Sequence, residues 1–140
     1  MKSVRQLDLD DAHQLVEGAR QRAIAIDVPM CIAICDPGGH LLAFERMEGG
    51  KISSITIAID KAFTAAAARK ATHEYGDAAQ PGKAAYGINT AIGGRLMVVA
   101  GGIPVLYDSE VVGAIGISSG TPAQARDVAE AGVAHWLVRG

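Results

Sequence analysis

Gly101-Gly102-Ile103-Pro104-Val105-Leu106-Tyr107-Asp108-Ser109-Glu110-Val111-Val112-Gly113-Ala114-Ile115-Gly116-Ile117-Ser118-Ser119-Gly120 reads as a β-hairpin whose second strand carries glycines where side chains normally pack. Residues 103–107 form a short strand, Asp108 and Ser109 supply the turn, and residues 111–118 run apolar and β-branched. Pro104 lacks a backbone donor, which suits an edge strand, a strand start or a bulge. Gly113 and Gly116 fall three apart and therefore point to opposite faces of a regular strand. Such bare backbone admits either a ligand or a closely packed helix, and the pattern alone allows both.

Upstream, residues 31–35 (Cys-Ile-Ala-Ile-Cys) are apolar on both alternating faces, the signature of an interior strand. Asp36-Pro37-Gly38-Gly39 is a turn, and residues 40–46 return as a second strand. Leu42 and Phe44 share one face of that strand with His40 and Arg46, while Glu45 lies on the other with Leu41 and Ala43. A further strand is expected at residues 96–100, ahead of the hairpin. Helices are expected from Asp8, from Ser53 or Ser54, and from Thr121, where a cap residue, Pro122 and Gln124 mark a start. The second helix should bury Ile52, Ile55, Ile59, Phe63 and Ala66 and leave Asp60, Lys61 and Thr64 on its other face. The order is helix, two strands, helix, three strands, helix. Hairpins where crossovers would be needed make this an α+β domain with five strands rather than a Rossmann fold.

At 140 residues the chain fits one domain, spanning 1–140, and 49% hydrophobic against 20% charged residues argues for a packed core. A net charge of −2 gives no electrostatic case for nucleic acid, and neither a signal peptide nor an uninterrupted membrane-spanning run is present. The expectation is a cytoplasmic protein. Cys31 and Cys35, about 13 Å apart on a regular strand, read as buried thiols rather than a disulfide. The double-sided apolar strand and the alanines at 65–68 suit a homo-oligomer. The glycine pairs lack the strand, loop and helix context of a dinucleotide or phosphate loop.

Three blocks in order, Asp36-Pro37-Gly38-Gly39-His40-Leu41-Leu42-Ala43-Phe44-Glu45-Arg46-Met47, Asp60-Lys61-Ala62-Phe63-Thr64-Ala65, and Gly101 to Pro104 with Val111 to Ser118, resemble the GlcG/HbpS-like family. That family is related to the C-terminal domain of PduO proteins. The resemblance covers nearly the whole chain and implies a five-stranded, mainly antiparallel sheet flanked by helices in a profilin-like or PAS-like α-β-α arrangement. It also implies dimers or larger rings, and for some relatives haem binding or redox sensing. By analogy Arg46, Lys61 and the glycine-rich hairpin, with Gly113 and Gly116, belong to the pocket region. Two departures stand out: Asp108-Ser109-Glu110 replaces an Asp-Gly-Glu turn, and Gln124-Ala125 replaces Gln-Asp, so a carboxylate is missing at 125.

Three functions follow as expectations. The first is a small-ligand-binding protein, with haem as a candidate cofactor held by His13, His40, His73 or His135; no metal-ligand set is specified. Arg46, Lys61 or Arg95 would alternatively hold carboxylates, with Lys83, Tyr86 and Asn89 as further polar contacts. The second is an enzyme that isomerises, hydrates, deaminates or hydrolyses a small unsaturated organic acid, with Glu45, Asp60, Glu74 or Glu110 as proton-transfer candidates. The third is a non-catalytic structural or regulatory oligomer.

Overall fold

A capping box opens the first helix. In the computed structural model, which describes residues 1–139, α1 spans Leu9–Ala25; the Asp8 side chain accepts from Asp11 N, and the Asp11 carboxylate accepts in return from Asp8 N. Its apolar stripe, Ala12, Leu15, Val16, Ala19 and Ala23, is buried as the 3.6-residue period requires. The remaining elements are β1 (Cys31–Cys35), β2 (Leu41–Arg46), α2 (Ser53–Ala68), α3 (Thr72–Ala78), β3 (Gly102–Tyr107), β4 (Glu110–Ser118) and α4 (Pro122–Val138). The last helix begins at Thr121 with the expected reciprocal bonds to Gln124.

The sheet has four strands in the order β2-β1-β4-β3, all antiparallel, so the expectation of five strands is corrected. The missing strand is the one expected at 96–100. Its backbone is claimed by side chains instead: Met97 N donates to Thr64 Oγ1 at 2.9 Å, Gly102 N donates to Thr72 Oγ1 at 2.9 Å, and the Val98 carbonyl packs against Gly76. Within the stretch the Met97 donor is thus taken by a threonine of α2 and the Val98 carbonyl faces α3, and the ladder begins only at Gly102. β3 is consequently an edge strand, where Pro104 loses nothing.

β1 lies between β2 and β4 with all five residues buried. Ile32, Ile34, Ile115 and Ile117 meet α1 and α4 on one face; Cys31, Ala33, Cys35 and Ala114 meet α2 on the other. A register shift opposite Ile34/Cys35 breaks the alternation in β2, so Leu42 packs into the α1–α4 layer while Phe44 packs toward α2.

The face that α2 buries differs from the expected one. Ser54, Ala58, Lys61, Ala62, Thr64, Ala65 and Ala66 are buried, while Ile52 is 78% exposed. Small residues win because the helix lies almost on the sheet: a Cβ at Gly116 would collide with the Ala58 carbonyl and stand 2.5 Å from Ala62 N. Isoleucines on that line would hold the layers apart. They sit on the flanks of the contact, where Ile55 and Ile59 are half-buried. The expected serine cap is also missing, since the residue before the helix, Ile52, has helical dihedrals and no side-chain cap bond.

Candidate functional site

The β1–β2 turn is organised by one carboxylate. Asp36 Oδ1 accepts from Gly38 N at 2.9 Å and from His40 N at 3.0 Å, closing the turn, and faces His40 Nδ1 at 3.2 Å. With the proton on Nδ1 the ring donates to Asp36 and turns the Nε2 lone pair outward. The imidazole rests over Gly38, where a Cβ would come within 2.9 Å of Cε1. Gly39, at φ +85°, lays the turn against the Phe63 ring, and the Arg95 guanidinium stacks 3.8 Å from that ring's centroid.

Beside the turn opens a cleft of about 830 Å³, within the roughly 300–1,000 Å³ typical of small-molecule sites. Its walls come from four parts of the chain: the N-terminal segment at residues 2–4 and Gln6, the turn itself, Ala66 and Arg69 at the end of α2, and the β3–β4 hairpin at Leu106 and residues 109–111. Val4, Ala66, Leu106 and Val111 supply apolar surface; His40, Arg69, Lys2 and Glu110 supply polar groups. Arg69 sits at φ +57°, a left-handed conformation that ends α2.

The sequence candidates divide among several places. His40 and Glu110 both line the cleft. Asp60 and Arg95 form an ion pair at 3.0 Å, behind the turn. Glu45 lies 3.8 Å from Arg20, and Glu74 accepts from Ala71 N at the start of α3. Arg46 is exposed at the far end of β2, its Cγ beside Gly50. Gly116 lies beneath α2, and Gly113 lies beneath Leu7 and the Cys35 carbonyl, so both bare stretches of backbone face protein. Lys83, Tyr86 and Asn89 lie on the irregular 79–95 segment, outside the cleft lining. Of the other histidines, His13 is exposed, His135 packs against Gly18 between α1 and α4, and the buried Nδ1 of His73 has no hydrogen-bond partner.

Lys61 is only 4% exposed, and its Nζ donates to the Ile117 carbonyl at 2.9 Å. Burial without a counter-charge pushes this amine down to about 8. Burial likewise pushes the Cys35 thiol up to about 12, which makes it an inert core residue. A smaller hollow of about 320 Å³ lies between Arg5, Leu7, Tyr107, Trp136 and Arg139. Its guanidiniums are committed, Arg5 to Asp108 at 2.9 Å and Arg139 to Asp11.

Sequence reasoning missed Arg69, residues 2–4 and Gln6 as cleft walls. The Arg69-Lys70 pair carries no mark in the sequence of its neighbour across the fold.

Residues 7–134 match the family described as haem-degrading protein HbpS-like. A 15.0 kDa protein from the dhaT–dhaS intergenic region of Citrobacter freundii is 35% identical over 129 residues, covering 92% of this chain and 91% of that protein. The crystal structure of Klebsiella pneumoniae protein ORFY superposes with a TM-score of 0.97 at 30% identity, over 100% of this chain and 97% of that one. The crystal structure of a PduOC:haem complex gives 0.89 at 35% identity, over 93% and 94%. The chain belongs to the HbpS-like family, with the GlcG and PduO C-terminal relationship expected from its three motif blocks.

Proposed function

We propose that this member of the HbpS-like family is a small-ligand-binding protein whose ligand is haem, held in the cleft beside the β1–β2 turn with His40 as the axial ligand. The observation that carries the reading is the Asp36–His40 pair at the mouth of a cleft of about 830 Å³. A carboxylate on the far ring nitrogen fixes the tautomer and raises the basicity of the ligating one, the arrangement that metal-bound histidines ordinarily have.

The residues present fit the group. Among the described residues no three His, Cys, Asp or Glu side chains converge on one point. A porphyrin brings four nitrogens of its own, so one imidazole suffices. Lys2 and Arg69 offer cationic partners for the two propionates, and Val4, Leu106 and Val111 offer apolar surface for the ring. The haem-bound PduOC structure, at 35% identity, supports the same reading by family. Bound haem supplies iron-centred redox and ligand chemistry. The chain's own part is to orient the imidazole through Asp36, neutralise the propionates and shield one porphyrin face.

Titrating the purified protein with ferric haem tests this. A saturable Soret shift is expected, and His40→Ala should weaken binding about tenfold or more while leaving the circular dichroism spectrum unchanged, since the side chain is 81% exposed. No saturable shift, or a loss that follows His13→Ala or His73→Ala while His40→Ala binds normally, would sink it.

A further inference from the structure

Phe63 is an aromatic residue that the core does not claim. It is half-buried on α2, and among the described residues neither of the apolar clusters on the two sides of the sheet includes it. Its ring meets two groups from elsewhere in the chain. A Cβ at Gly39 would stand 2.5 Å from Cδ2 and 3.0 Å from Cε2, so the β1–β2 turn rests on the ring. The Arg95 guanidinium stacks on it, 3.8 Å from the centroid. Arg95 Nε also donates at 3.0 Å to Asp60 Oδ1, a carboxylate three residues before Phe63 on the same helix and only 15% exposed. One guanidinium thus spans Asp60 and Phe63. The Arg95 carbonyl accepts separately from the Thr64 hydroxyl at 3.1 Å, so the backbone there is held whatever the side chain. Arg95 does not line the cleft.

The turn carries its own internal bonds. Gly39 N donates to the Asp36 carbonyl at 3.0 Å and Asp36 N to the His40 carbonyl at 2.9 Å, beside the two backbone bonds that the Asp36 side chain accepts. Its shape is therefore local, but its tilt is not. The β1–β2 register shifts between Ile34 and Cys35, at the base of the turn, so the ladder passes no fixed direction across it. The contact with Phe63 supplies that direction. Phe63 shares α2 with Ala66, and Arg69 caps the same helix, so a turn referenced to the ring is referenced to another wall of the cleft.

We propose that Arg95 is a positioning residue for His40: held by Asp60 and stacked on Phe63, it keeps the ring under Gly39 and so fixes where the imidazole stands relative to Ala66 and Arg69. The inference rests on the reading of His40 as the haem ligand. It assigns Arg95 to the support of the site rather than to a ligand's carboxylate.

Two measurements on Arg95→Ala test it. In the haem-free protein the Gly39 Hα resonances should be displaced by the Phe63 ring current, and that displacement should collapse in Arg95→Ala while circular dichroism is unchanged. Haem affinity should fall about two- to fivefold, the worth of one half-exposed cation–aromatic stack. Arg95→Lys, which keeps a cation for both Asp60 and the ring, should recover most of both signals. Arg126→Ala, which removes an exposed arginine paired with Glu130 on α4, should change neither. A Gly39 displacement that is absent from the parent or survives in Arg95→Ala overturns the proposal, as does normal haem affinity in a variant whose displacement is lost. Haem uptake absent from parent and variant alike sinks the haem reading instead, and the Gly39 resonances then decide alone whether Arg95 sets the turn.

Discussion

Replacing Lys61 by Met should change how stability depends on pH more than it changes stability at neutral pH. In the folded chain burial drops the amine from 10.5 to about 8, which corresponds to roughly 3 kcal/mol against the charged form. The folded value lies below the unfolded one, so on acidification the unfolded chain takes up the proton first. The contribution is therefore most favourable above pH 10.5, falls as the pH drops toward 8, and is constant below that, where both states are protonated. Lys61→Met removes the proton from both states. At pH 7 it relieves the ~3 kcal/mol penalty but leaves the Ile117 carbonyl without its partner, a loss of about 1–3 kcal/mol, so the variant should be equal to the parent or up to ~2 kcal/mol more stable. Between neutral pH and 10.5 the parent should then gain roughly 3 kcal/mol on the variant. Urea unfolding followed by circular dichroism across this range measures the difference. Cys35 works in the opposite direction, since its thiol is raised from 9.0 to about 12 and stability is lost as pH climbs between those values. That effect is common to both proteins and cancels in the comparison. Parallel pH profiles would refute the reasoning, and so would a loss of several kcal/mol at pH 7, the behaviour of a lysine whose ion pair had been cut.

Gly116→Ala should destabilise by at least about 3 kcal/mol, because the new methyl meets α2 backbone rather than a side chain that can rotate away. A urea midpoint close to that of the parent would show that the helix can lift from the sheet at little cost. Ser109→Gly should stabilise by about 1 kcal/mol, since Asp108 and Ser109 hold φ of +50° and +66° in a two-residue hairpin turn that glycine adopts without strain. The thermal midpoint reads this gain, and an unchanged or lower midpoint would mean that the Ser109 side chain contributes something the turn geometry does not.

Order and pairing were legible in the sequence where a local pattern was decisive. The double-sided apolar run at 31–35 became the buried interior strand β1, Pro104 fell on an edge, and the Thr121-Pro122-Gln124 start became the N-terminus of α4. The failures share a cause. Residues 96–100 read as a strand because their side chains suit one, but a strand also needs a neighbour with free backbone groups. Thr64 had already taken the donor at Met97, and the Val98 carbonyl lay against Gly76 of α3. The buried face of α2 was misread for a related reason. Hydrophobicity nominated the isoleucines, whereas the distance between layers, set by Gly116 far along the chain, selected alanine, serine and the lysine.

The glycine-spaced strand thus bears on function indirectly. Gly116 does not open a wall to a ligand; it lets α2 settle so low that Lys61 is carried under the Gly101 backbone, beyond the reach of water. A lysine brought that deep with no acid beside it is pushed toward its neutral form, and the side chain near it at position 125 is an alanine. The amine's hydrogen-bond partner is one neutral carbonyl, that of Ile117. Two separate features are built on one α-β-α frame: an oriented imidazole at an open cleft, and a buried amine without a counter-charge. Each can be removed by a substitution that leaves the other in place, so His40→Ala should weaken haem binding without changing how stability depends on pH, and Lys61→Met should do the reverse.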